Sequence, residues 1–169
     1  MPAKKSNNAE LPNRPSWDQY FLDIARVVAT RSTCFRRKVG AVIVRNKKIV
    51  STGYNGAPKY QRNCAEIGNC YRQDHNITSF TSLEKCRAVG SHAESNAICL
   101  AAKDGTATDN STIYIYGHTD ICGQCRAMIA NSGIVRALIM TPEGQITDFD
   151  VAKWNTHEID KENGEKERI

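Results

Sequence analysis

From Trp17 onward the apolar residues Tyr20, Phe21, Ile24, Val27 and Val28 recur at spacings of three and four, which predicts an amphipathic helix N-capped by Ser16 and ending near Arg31 to Thr33. The pattern then changes to β-branched runs. Val39 to Val44 and Lys48 to Thr52, joined by Arg45, Asn46 and Lys47, read as a hairpin whose second strand gives way to a Gly53-Tyr54-Asn55-Gly56 loop. No period is sustained from Cys64 to Gly90. A stretch that long, carrying three cysteines, calls for something to order it, and a metal would serve. Helix formers fill Ala93 to Ala102 and stop at Lys103-Asp104-Gly105. Thr112 to Tyr116 reads as a strand, Cys122 to Asn131 as a helix stopped by Ser132-Gly133, and Ile134 to Met140 as a further strand. The order α-β-β-α-β-α-β predicts an α/β layered sheet with helical crossovers between the later strands. After Pro142 apolar density falls. Residues 1–15 are expected to form a flexible arm, 16–148 a single domain and 149–169 a peripheral segment with a frayed end.

At 169 residues, 40% of them hydrophobic and 24% charged, the chain can bury a core of its own, so a metal is not needed merely to hold it together. Its longest apolar stretches, Gly40 to Val44 and Ala97 to Ala102, fall far below the roughly 18 residues of a membrane span. Met1 to Pro15 lack the apolar core of a secretory signal, and the expectation is a cytoplasmic protein. A net charge of +5 favours phosphate-bearing ligands without requiring nucleic acid. Aromatics are only 7% and the basic cluster is compact, which argues against an extended channel for single-stranded nucleic acid.

The seven cysteines, at 34, 64, 70, 86, 99, 122 and 125, have packing, catalysis or metal binding as their uses in a reducing compartment. His92-Ala93-Glu94 opens one predicted helix and Cys122-Gly123-Gln124-Cys125 opens the next, so two helix N-termini can converge on one point. Zinc accepts imidazole and thiolate together, and a catalytic zinc commonly takes three protein ligands and leaves a fourth position for water, whose pKa it lowers. His92, Cys122 and Cys125 supply that set, and Glu94 stands close enough to shuttle protons without ligating the metal. A Cys-x-x-Cys pair alone is as often redox-active or structural. Combined with His-x-Glu in this order, it is the signature of zinc nucleobase deaminases. Two alternatives stand beside this reading: a deaminase of tRNA adenosine or single-stranded DNA cytosine, and a non-catalytic zinc protein. The second would have no use for Glu94.

Beyond these ligands the chain resembles the deoxycytidylate deaminases over roughly Trp17 to Met140. The resemblance is carried by Arg31-Ser-Thr-Cys-Phe-Arg-Arg-Lys-Val-Gly-Ala-Val-Ile-Val44, Ser51-Thr-Gly-Tyr-Asn-Gly56, Glu84-Lys-Cys-Arg-Ala-Val89, His92-Ala-Glu-Ser-Asn-Ala-Ile98 and Ile129-Ala-Asn-Ser-Gly-Ile134. It implies a cytidine-deaminase-like three-layer αβα sandwich around a mixed sheet, and conversion of dCMP to dUMP and ammonia in pyrimidine nucleotide synthesis. It also implies a homo-oligomer, commonly a hexamer, activated by dCTP and inhibited by dTTP, each with Mg²⁺. By the same resemblance His92, Cys122 and Cys125 bind the catalytic zinc and Glu94 is the acid/base. Asn55 contacts the nucleotide sugar, and the backbone at Ala93 helps read the base.

The resemblance further places Cys34, Cys64, Cys70 and Cys86 where relatives carry ligands of a second, structural zinc. Arg36, Arg37, Lys38, Tyr54, Asn55 and Gly56 are candidates for the triphosphate effector site. Two positions depart from the family pattern. Ile121 replaces the usual Pro before the first metal cysteine, which is expected to loosen that turn, and His118 replaces the usual Thr and is placed to approach the substrate. Both keep dCTP open as an additional substrate. Cys99 is expected in the core.

Overall fold

Ser16 caps the first helix by accepting a hydrogen bond from the Gln19 N–H at 3.1 Å, and α1 spans Trp17–Ala29 in the computed structural model, which describes residues 14–78 and 81–154. The arm expected over 1–15 therefore lies outside the described residues except for its last two, as does the expected frayed end from 155 onward. Strands β1 (Gly40–Arg45) and β2 (Lys48–Tyr54) form the hairpin, turned by Asn46 and Lys47 at φ 52° and 62°. Two successive positive φ values mark the tight turn whose twist matches the strands it joins. Two four-residue helices, α2 (Cys64–Ile67) and α3 (Tyr71–Asp74), interrupt the stretch that has no sequence period. Then follow α4 (Ala93–Lys103), β3 (Thr112–Tyr116), α5 (Gly123–Asn131), β4 (Arg136–Met140) and β5 (Ile146–Asp150).

The strands form one mixed sheet in the order β2-β1-β3-β4-β5. Only β3 and β4 pair in parallel, and α5 is the crossover between them. Along β1 the side chains alternate between faces. Val42 and Val44 pack with Tyr114, Leu138 and the α1 residues Phe21, Leu22 and Ala25, whereas Ala41 and Ile43 pack with Ile113, Ile115, Ala97 and Ile129. The result is a three-layer αβα sandwich with α1 on one face and α4 and α5 on the other. Burying each of its larger aliphatic side chains contributes about 1.5–3 kcal/mol. Among the described residues no helix is long and apolar enough to cross a membrane.

Two glycines set the layer spacing. A Cβ at Gly40 would fall on the Ala25 carbonyl and the Ala29 amide of α1, and one at Gly53 would fall on the Ala93 carbonyl and the Ala97 amide of α4. Each helix thus rests its backbone directly on a strand. Across the far end of the sheet, Asp18 accepts from both Nη atoms of Arg136 at 3.0 and 2.9 Å and from the Tyr114 hydroxyl at 2.8 Å. Arg136 also grips Asp148 at 2.7 Å, so one guanidinium joins α1, β4 and β5.

Several sequence expectations need correction. β5 is absent from the sequence reading, and it runs through the 148/149 boundary set there; as an edge strand it is mostly exposed, so Ile146 to Asp150 shows no apolar alternation. Beyond it Val151 is buried, so the segment after 148 contributes to the core. β2 continues through Gly53 to Tyr54, where a loop was expected, because Gly40 pairs with Tyr54. Cys99 is exposed, since α4 turns Ala93, Ala97 and Ala101 inward and leaves Cys99 on the other side.

Gly53→Ala should cost about 1–3 kcal/mol in urea unfolding, because neither α4 nor β2 can give way without losing backbone contacts. Asp18 is held below its ordinary pKa of 3.8, chiefly by the Arg136 hydrogen bond. Its contribution is therefore present above pH 3.8 and is lost as the pH falls through the lower folded-state value. With its side chain 38% exposed, the pair supplies about 1 kcal/mol or less. The stability gap between wild type and Asp18→Asn should narrow as unfolding is followed from pH 6 to pH 3.

Candidate active site

His92 is the N-cap residue of α4 and Cys122 that of α5, and neither side chain caps its own helix. Ring and thiol are left to meet each other. Cys125, in the first turn of α5, joins them: His92 Nδ1 lies 3.5 Å from the sulfurs of both Cys122 and Cys125, and the ligand atoms of all three lie within 4.8 Å of one another. With Zn–N and Zn–S bonds of ordinary length, the nitrogen–sulfur edge of a zinc tetrahedron is about 3.6 Å. The donor set therefore fits zinc in type and in spacing.

Electrostatics point the same way. A hydrogen bond from Cys125 and then the His92 ring hold the Cys122 thiol far below its ordinary range, whereas the Cys122 sulfur, burial and Glu94 push Cys125 up. One thiolate suppresses the other, and both ionise together only beside a cation. The positive ends of α4 and α5 also favour negative charge there. Glu94 is 6% exposed, and burial raises its carboxyl above the ordinary range, opposed by its own backbone N–H and by His92. A carboxyl raised in this way by its surroundings is a candidate for proton transfer.

His92, Glu94 and Cys122 line a cleft of about 370 Å³, together with Ala93, His118, Asp120 and Gln124, while Cys125 is buried and does not line it. His118 Nδ1 receives the Asp120 N–H at 3.2 Å, and burial and the charge of Arg37 hold its pKa down. Asn55 lines the cleft too, yet its amide is largely engaged by the chain itself. Its oxygen accepts from the Ser32 hydroxyl at 2.6 Å and the Val39 N–H at 2.9 Å, and its nitrogen donates to the Arg37 carbonyl at 3.0 Å. The remaining amide proton is the one available to a ligand.

Cys34, Cys64, Cys70 and Cys86 line the same cleft. Burial and then the charges of Cys70, Cys34 and Cys86 push the Cys64 thiol up. Among the described residues, however, the three-donor set closed to within 4.8 Å is His92, Cys122 and Cys125. Five of the six effector candidates lie in two clefts. Arg36, Arg37, Asn55 and Gly56 line the main cleft, while Arg36 and Arg37 also line a second, basic cleft with Arg26 and Lys38. Tyr54 lines neither.

Two arginines escaped the sequence reading. Arg72, only 7% exposed, donates to the Thr78 and Thr81 carbonyls at 2.7 Å each, and nothing in its local sequence foretells that burial. Arg126 pairs with Asp120 just before the α5 N-terminus. An acid ahead of a helix and a base one turn inside it was a signal that could have been read.

The family model of the cytidine and deoxycytidylate deaminase zinc-binding region matches residues 15–141. The chain is 37% identical over 142 residues to a deoxycytidylate deaminase of Schizosaccharomyces pombe, covering 82% of this chain and 42% of that protein. It is 38% identical over 126 residues to the deoxycytidylate deaminase of Mycobacterium phage D29, covering 75% and 95%. The chain thus spans less than half of the fission-yeast relative and nearly all of the phage one. Among solved structures, the dCMP deaminase of cyanophage S-TIM5 in complex with dCMP and dUMP matches with a TM-score of 0.57 and 27% identity, over 76% of this chain and 83% of that one.

Asn55→Ala strands the Val39 N–H and the Arg37 carbonyl, so it should lower stability by about 1–3 kcal/mol in denaturant titrations. Asn55→Asp keeps the acceptor and should lose less.

Proposed function

The chain belongs to the cytidine and deoxycytidylate deaminase zinc-binding family, and we propose that it converts dCMP and water to dUMP and ammonia. The observation that carries this reading is a buried carboxyl, Glu94, beside a zinc-spaced set of His92, Cys122 and Cys125, of which His92 and Cys122 line a nucleotide-sized cleft. Zinc bound by those three residues would supply Lewis-acid activation of a water molecule. Glu94 takes one proton from the attacking water and delivers it to the ring N3, then takes the second from the new C4 hydroxyl and passes it to the departing amine. Water adds at C4, the C4–N bond breaks, and the carbonyl of dUMP and free ammonia remain. The raised Glu94 pKa suits a group that must both accept and release a proton.

Substrate placement rests on the rest of the lining. Arg36, Arg37, Lys85 and Arg87 bring positive charge for the 5′-phosphate, the free Asn55 amide proton suits a sugar hydroxyl, and Ala93 offers backbone to the base. His118 borders the same space and bears on whether dCTP is also a substrate. The basic second cleft of Arg26, Arg36, Arg37 and Lys38 supports binding of dCTP or dTTP as Mg²⁺ complexes, and its sharing of Arg36 and Arg37 with the main cleft offers a route from effector to substrate. A structural zinc would draw Cys34, Cys64, Cys70 and Cys86 together. A homohexamer in the cytoplasm completes the reading.

Ammonia release should be measured from dCMP, dCTP, CMP and deoxycytidine, with and without dTTP and Mg²⁺. Turnover of dCMP that dTTP suppresses supports both chemistry and regulation, and turnover of none of the four refutes the reading. Glu94→Gln should keep its zinc and lose about 10²–10⁴-fold in turnover. Unchanged turnover in that variant would remove Glu94 from the mechanism.

A further inference from the structure

We propose that Arg126 is a positioning residue of the metal centre, which fixes the turn leading into Cys122 and ties it to the segment after β4. Its Nε donates to the Ile121 carbonyl at 2.9 Å and its Nη2 pairs with Asp120 Oδ1. The same carboxylate oxygen accepts the Ile121 N–H at 2.8 Å, and the Asp120 N–H in turn reaches His118 Nδ1 at 3.2 Å. One guanidinium thus immobilises the residues immediately before a ligand, and Ile121, 2% exposed, plugs the turn into the core. The loosening expected of Ile121 in place of proline is met by polar bonds that use the very N–H a proline would lack.

The guanidinium is itself held. Its carbon lies 5.9 Å from the Phe149 ring centroid and 5.6 Å from that of Trp154, and those rings meet edge to face at 5.8 Å. With its side chain 17% exposed, Arg126 is shielded enough for these contacts to matter. Phe149 lies on β5, and Trp154 follows a short turn that begins at Val151, whose N–H donates to the carbonyl of Val135, the residue before β4, at 3.1 Å. Cys122 is therefore oriented from a part of the chain that contributes no ligand. Groups that orient ligands in this way typically govern metal affinity by about 10–100-fold.

This inference rests on His92, Cys122 and Cys125 holding zinc. The test is the rate at which zinc-loaded protein gives up metal to a colorimetric chelator, with the thiolate-to-metal absorption of the cobalt-loaded form as a second reading. Arg126→Met fills the space between the rings but makes neither hydrogen bond, and should release zinc at least about tenfold faster and shift the cobalt spectrum. Arg126→Lys keeps the Asp120 pair and should recover part of the loss. Leu22→Val, on the opposite face of the sheet, should lower thermal stability yet release zinc at the wild-type rate. A wild-type rate in Arg126→Met, or equal acceleration in Leu22→Val, overturns the proposal. Wild-type protein that binds no zinc at all overturns the metal centre, and this inference with it.

Discussion

At Gly53 the sheet presents no side chain, and the backbone of α4 fills the place where one would stand. Because α4 lies that low on β2, its first turn is buried to the backbone. Ala93 and Glu94 are buried at the floor of the cleft, while His92, one residue earlier, is more exposed to it. A bulkier residue in the strand would lift the helix and hydrate the carboxyl. The chemistry assigned to Glu94 depends on desolvation, and so it depends on a missing methyl group in a neighbouring strand.

The opposite side of the centre is governed by charge. Cys122 and Cys125 share a helix turn and cannot both carry negative charge unaided, while His92 lies equally near each sulfur. Two helix N-termini aim at the same point, a surplus of positive potential that thiolates and a carboxylate use up. A dication held by the three residues would complete that balance.

Local features were the ones legible in the sequence. Ser16, the α1 periodicity and the Asn46-Lys47 hairpin depend on neighbours along the chain, as does the placing of His92 and Cys122 at helix starts. What escaped depends on distant partners. β5 is a strand because β4 offers it an edge, and its own residues barely say so. Cys99 sits among apolar neighbours in the sequence, but the buried stripe of α4 is the alanine row, set by how closely the sheet approaches. Asn55 looked like a residue for a ligand, and most of its hydrogen bonds go instead to the loop from Ser32 to Val39. Arg126 required knowing that two aromatic rings, more than twenty positions later, would fold back onto α5.

The strand order has a consequence for the shape of the cleft. β2 ends at Tyr54, the first residue of β1 lies beside it, and β3 ends at Tyr116, so the chain leaves the sheet at one rim before each helix that carries a ligand. This is the crevice at the carboxyl ends of strands where α/β sheets commonly place their ligands. The sheet acts as a fixed chassis, and the segments after β2 and β3 are built on its rim. His118 and Asp120 from one of them and Cys70, Cys86 and Arg87 from the other line the cleft, so its mouth is shaped by segments that leave the strands in place. The strands fix where the two helices begin, and the segments between them decide what shape of ligand meets those helix ends.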